Sequence, residues 1–158
     1  MKTLKKITFI VALLMFCAFS NSSLSIEGNG DKLIGDWLNQ EGTSHIRIGK
    51  IESGQLAGKF FGKIVWLKET EENGKPRTDK NNPDKTLQSA PLLGAMILRN
   101  FVYDEENKVW EDGTVYDPKN GKTYSGNIHI NADFSKLALR GYVGISLLGR
   151  TAVWTRVK

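Results

Sequence analysis

Beyond residue 20 no stretch of this chain sustains a helical period, while short runs of alternating apolar and polar residues return repeatedly between Gly, Asn, Asp and Pro. Period two marks a strand with one face buried, so the chain is constrained to an all-β fold. The clearest run spans 122–131, where Tyr124, Gly126, Ile128 and Ile130 share one face and Thr123, Ser125, Asn127 and His129 the other. The same reading gives strands over 35–38, 43–50, 55–67, 95–103, 109–116, 136–142 and 150–157. In 55–67, Phe60, Ile64 and Trp66 fall with Gly58 and Gly62 on the buried side, and Lys59 and Lys63 outside. Eight strands in sequential order predict an up-and-down antiparallel barrel, whose interior can hold one small ligand. A sandwich would need Greek-key crossings, which the short turns disfavour.

A barrel must join its first strand to its last. Here those are Gly35-Asp36-Trp37-Leu38 and the segment from Arg150 to Val157. Arg156 shares a face with Trp154, and a guanidinium stacked on the Trp37 indole would gain roughly 0.5–2 kcal/mol. Gly35, Trp37 and Arg156 are thus the expected closure. In a meander, alternate connections lie at the same end, which collects 39–42, 68–94, 117–121 and 143–149. That end should carry any opening, with Trp37 towards the plugged one. The 68–90 connection is long, polar and rich in charge, and such loops tend to be functional or mobile.

The N-terminus reads as an export signal, residues 1–20. Lys2, Lys5 and Lys6 precede an apolar run, and Ala18-Phe19-Ser20 offers small residues for cleavage after Ser20, with Ser25 as the alternative. Phe16 stands where a small residue should precede a lipidated cysteine, so Cys17 is not read as a lipoprotein site. Of the 158 residues, 138 remain without these 20, and the loss of three lysines takes the net charge from +5 to +2. That balance is poor for a nucleic-acid binder. Cys17 is the chain's one cysteine, so the exported form has no disulfide and no thiol chemistry. The expected organisation is a signal peptide (1–20), a flexible lead-in (21–34) and a single barrel (35–158), periplasmic or secreted, with no stable membrane anchor after signal removal.

Motifs for catalysis are weak. Gly121-Lys122-Thr123 imitates the end of a phosphate loop, but Tyr116 stands where the upstream glycine is required. An extra residue separates Ser146 from Gly149, so Gly144–Gly149 is no nucleophile elbow. His45 and His129 sit on separate strands without metal spacing. Asp79, Asn81 and Asp84 lack the glycine and terminal glutamate of a calcium loop. No enzyme, cofactor or metal site is expected.

Gly35-x-Trp37 with Arg156 is similar to the lipocalin and fatty-acid-binding barrels. A longer match runs through Gly62-Lys63-Ile64-Val65-Trp66-Leu67, Asn82-Pro83-Asp84, Pro91-Leu92-Leu93-Gly94, Tyr116-Asp117-Pro118, Gly121-Lys122-Thr123-Tyr124 and the closing segment Arg140 to Arg156. These resemble the family of uncharacterised exported bacterial proteins called domain of unknown function 2147. The resemblance implies a lipocalin-like barrel, export and no established activity. Gln88-Ser89-Ala90 departs from it, since members often carry basic residues there.

The expected function is binding of a small, largely apolar ligand through the elaborated end. Candidate contacts on strands are Phe60, Ile64, Trp66, Tyr116, Tyr124, Ile128 and Tyr142. Those in loops are Leu92, Leu93, Ile145, Leu147 and Leu148. Arg150, at the mouth, would either meet an anionic head group or pair with Asp117, the ion pair being the first expectation. The alternative is an envelope or secreted interaction protein with a packed barrel and an apolar loop surface for a protein partner.

Overall fold

The computed structural model describes residues 29–145, 147 and 149–158. The expected signal peptide and residues 21–28 lie outside them. The strands are β1 (Gly35–Leu38), β2 (Ser44–Lys50), β3 (Phe60–Leu67), β4 (Glu71–Glu72), β5 (Lys75–Pro76), β6 (Met96–Asp104), β7 (Val109–Asp117), β8 (Lys122–Ile130), β9 (Lys136–Tyr142) and β10 (Arg150–Arg156). β4 and β5 form a small separate hairpin inside the long connection. The other eight strands close into an antiparallel up-and-down barrel, with β1 pairing β10.

The seam is short. β1 meets β10 only through Trp37↔Arg156 and Leu38↔Thr155. Beyond it, the Val153 amide donates to the Gln40 side chain instead of to a strand, at 2.9 Å. What holds the seam is the base. Arg156 lies over the Trp37 ring at 4.2 Å. Its guanidinium donates to the carbonyls of Phe134, Ile34 and Lys32. Gly35 permits this approach on two counts. Its φ of 137° is unfavourable for any side chain, and a Cβ there would stand 2.7 Å from Arg156 Nη1.

Residues 29–34, expected within a flexible lead-in, are instead part of the fold. Asn29–Leu33 is a 3-10 helix, and Leu33 and Gly30 are buried. Trp37 Nε1 donates to the Leu33 carbonyl and Trp110 Nε1 to that of Gly30. Two indoles and a guanidinium therefore satisfy a turn that the polar sequence alone makes look mobile. This turn seals the bottom.

Above it the lower interior is filled. Phe101 crosses the barrel over Gly113 and Gly126, where an added Cβ would run into its ring. Leu98 packs into the space left by Gly62, and Ile128 and Leu137 are fully buried. Two bulges make this possible. β6 carries two residues, Arg99 and Asn100, against one on β3, and β7 carries Glu111 and Asp112 against one on β8. Asn100 and Asp112 both have positive φ, a region their short polar side chains tolerate. Bulges bend a strand and tighten its twist, which turns Phe101 inward.

Candidate functional site

The upper half of the barrel is a cavity of about 1000 Å³. Ile46, Ile64, Val115, Leu139, Ala152 and Trp154 line its walls, and Asn39 to Glu41, Arg77, Leu92, Asp117 to Asn120 and Val143 surround its opening. All four connections assigned by alternation to one end contribute to this mouth, so the opening lies opposite the Trp37–Arg156 base. The apolar walls come from the inward faces of β2, β3, β6, β7, β9 and β10, and the polar rim from turns rich in Asn, Asp and Pro.

The rim is tied together by polar contacts. Lys119 Nζ meets Glu41 at 3.0 Å. The hydrogen bond from Lys119 holds the Glu41 carboxyl below its ordinary value, against the opposing effect of burial. Asn81 Nδ2 donates to the carbonyls of Pro118 and Lys119. Gly121, with φ of 70°, lies so tightly under the Asn81 carbonyl that no side chain fits. The long connection is therefore fastened to the 117–121 turn, through residues that sequence patterning gave no reason to bring together.

A second fastening lies on the outer wall. Val115 faces inward, and the next residue, Tyr116, meets the long connection with its hydroxyl. That hydroxyl donates to Asp79 Oδ1 at 2.7 Å, and Asn82 Nδ2 donates to Asp79 Oδ2 at 2.7 Å. Burial and the adjacent Asp79 carboxylate push the Tyr116 phenol well above its ordinary value. Asp79 is only 5 % exposed. A smaller cleft of about 520 Å³ separates this part of the connection from Arg99, Thr114 and Thr123 of the barrel wall.

Residues 35–156 match the model of the family described as an uncharacterized protein conserved in bacteria, DUF2147. The chain belongs to that family. A solved structure described as protein HP1028 from the human pathogen Helicobacter pylori, belonging to the lipocalin family, is similar at 22% identity with a TM-score of 0.65. The match covers 80% of this chain and 83% of that one. At that identity the likeness establishes the fold, a lipocalin-like barrel. No match is found among the curated proteins.

In this DUF2147 barrel, Ile64, Leu92, Tyr124, Tyr142 and Arg150 border the cavity as expected. Trp66 does not. Ile46 pairs with Ile64 but His45 with Trp66, so Val65 is one residue too many on β3 and the alternation reverses after it. Trp66 is turned outward, 40 % exposed, and its ring lies 4.4 Å from that of His45, while Leu67 takes the inner position. A one-residue slip exchanges the faces of a strand, and nothing in the local pattern announces it.

Phe60 and Ile128 belong to the filled lower core and not to the cavity wall. Phe60 meets Trp110 edge to face at 6.3 Å, and Ile128 is completely buried. Tyr116 reaches the rim, but its hydroxyl is committed to Asp79. Leu93 borders the outer cleft and is half exposed. Ile145 and Leu147 project into solvent, the latter 82 % exposed. Leu148 lies outside the described residues. The first expectation for Arg150, an ion pair with Asp117, is not met. The Asp117 carboxylate accepts from the Lys119 amide and the Asn120 side chain instead.

Sequence reasoning also missed Ile97, which lines the cavity from a β6 irregularity opposite Gly62 and Lys63. Asp79, weighed with Asn81 and Asp84 as a calcium-loop ligand, accepts hydrogen bonds from Tyr116 and Asn82 instead. Among the described residues, no group of three or more His, Cys, Asp or Glu side chains is placed to hold a metal ion. Nor is any helix among them long and apolar enough to cross a membrane.

Proposed function

We propose that this protein is an exported binding protein that takes a small, largely apolar molecule into the upper barrel and acts by binding, not catalysis. The observation that carries this is the division of the interior. The lower half is packed solid on Phe101, while the upper half leaves about 1000 Å³ behind apolar walls and an open polar rim. Ligand cavities typically span about 300–1,000 Å³, are mostly apolar and carry a few oriented polar groups. Polar groups around the mouth are largely spent on one another, which favours a container over a reaction centre. The N-terminal segment 1–20, with its basic start, apolar run and small-residue end, supports export.

Titration with the uncharged dye N-phenyl-1-naphthylamine tests this. Saturable binding at one site per chain is expected. Ala152→Trp, which places an indole in the cavity from an inward position, should abolish it while leaving the far-ultraviolet spectrum unchanged. No saturable binding by the natural sequence would refute the reading. Amino-terminal sequencing of the protein from the exported fraction should begin at Asn21.

A second reading, contact with a protein partner, is favoured by Val143, Ile145 and Leu147, which are 73 %, 60 % and 82 % exposed on one connection. Exposed apolar clusters of this kind mark interaction surfaces. Leu147→Asp should then lose a captured partner that the natural sequence retains.

A further inference from the structure

Across the inner wall, β7, β8 and β9 present a row of paired glycines, Gly113↔Gly126 and Gly126↔Gly141, and the row ends on β10 at Arg150, the partner of Gly141. The row is filled at one end only. The Phe101 ring covers Gly113 and Gly126, whereas a Cβ at Gly141 would meet nothing closer than Tyr124 Cβ at 3.6 Å. Arg150 therefore stands at the mouth beside a position with no side chain, in register with the inward-facing Ala152 and Trp154.

Its charge is unanswered. Each neighbouring charge of the rim has a partner: Glu41 binds Lys119 at 3.0 Å, Asp117 accepts from the Lys119 amide and Asn120, and Arg77 leans on Glu69 at 3.7 Å. The Arg150 side chain has no hydrogen bond or ion pair among the described residues. The Tyr124 hydroxyl at the same rim is held by Asn120 Nδ2 at 3.1 Å.

We infer that the ligand is an amphiphile with an apolar tail and a carboxylate head, the tail lying against the apolar walls and the head meeting Arg150 over Gly141. The inference rests on the cavity reading above. A guanidinium presents a planar fork that matches a carboxylate through two parallel hydrogen bonds. Gly141 sets no side chain of its own between the cavity and the arginine, so such a group reaches it from inside the barrel beside Tyr124, below the solvent-facing rim.

The test compares cis-parinaric acid with its methyl ester, which share a tail and differ in charge, followed by their fluorescence on binding. The natural sequence should bind the acid about tenfold more tightly than the ester, equal to about 1.4 kcal/mol. Arg150→Gln should remove that preference while keeping ester binding, and Arg150→Lys should retain part of it. The preference should shrink as salt is raised, because an exposed charge is screened. Equal binding of acid and ester, unaffected by Arg150→Gln, would overturn the head-group inference and leave the cavity reading standing. Failure of both probes to bind would overturn the cavity reading and the inference with it.

Discussion

The two ends of the barrel carry chemically similar residues put to opposite use. At the base, Arg156 is surrounded: a Trp37 ring at 4.2 Å and three backbone carbonyls occupy its whole guanidinium. At the mouth, Arg150 lies on the same face of the same strand and touches no hydrogen-bond partner among the described residues. The five residues between them take the chain from a sealed end to an open one. Charge and face are equal, so what differs is what the rest of the chain brings alongside. Residues 32 and 34 and the 131–135 turn supply carbonyls below, whereas above, nothing comparable reaches the Arg150 side chain. A polar group fully partnered within the protein contributes to stability; one left to solvent beside a cavity is available to a ligand.

Breaking the base should cost most. Trp37→Ala removes a fully buried indole from the seam, and a loss of about 3–5 kcal/mol in denaturant unfolding is expected. Arg156→Ala leaves three carbonyls without their donor and should cost about 2–4 kcal/mol. Arg150→Ala at the mouth should change stability by less than about 0.5 kcal/mol. Equal costs for the two arginines would dissolve the contrast. Between these lies the outer fastening. Tyr116→Phe strips Asp79 of a hydrogen bond and should cost about 1–3 kcal/mol. Amide exchange should then quicken in residues 77–92, whose attachment depends on it, and not at the base.

The smallest effect is acid sensitivity of the mouth. The Glu41 carboxyl is held below its ordinary value of 4.5 chiefly by the hydrogen bond from Lys119. A carboxyl depressed in the folded state contributes stability above its unfolded value, and that contribution fades as pH falls through the lowered one. Acidification below about pH 4.5 should therefore loosen the 39–42 and 117–121 turns from each other. Asp36 on β1 and Asp133 in the 131–135 turn are depressed too, chiefly by hydrogen bonds from Arg47 and Ser135, but Arg156 keeps its charge throughout, so its stack on Trp37 should be indifferent. Nuclear magnetic resonance shifts at Glu41 and Lys119, set against those of the Trp37 indole, would separate the two ends.

Much of this was readable from residue order. Alternation in 122–131 and 136–142 placed those strands almost to the residue, and counting connections put every elaborated loop at the opposite end from Trp37. Gly35, Trp37 and Arg156 declared the seam. The failures share one cause. Trp66 was assigned inward by a period that Val65 interrupts, and Ile97 was passed over where β6 is irregular against β3. The sequence has no local mark for a residue that goes unpaired, because whether it does depends on the neighbouring strand. The lead-in misled differently: Asn29-Gly30-Asp31-Lys32-Leu33 has the composition of a loose tail, and the side chains that partner its carbonyls are Trp37 and, distant in sequence, Trp110 and Arg156.

Residue order alone determined that the chain forms a strand meander, that its ends join, and which end is ornamented, since period and turn chemistry act over a few residues. Tertiary structure decided how far up the barrel the filling extends and which charged groups are left without a partner. Both outcomes depend on side chains meeting across strands far apart in the chain, as Phe101 meets Gly113 and Gly126. No short window of sequence contains both members of such a pair.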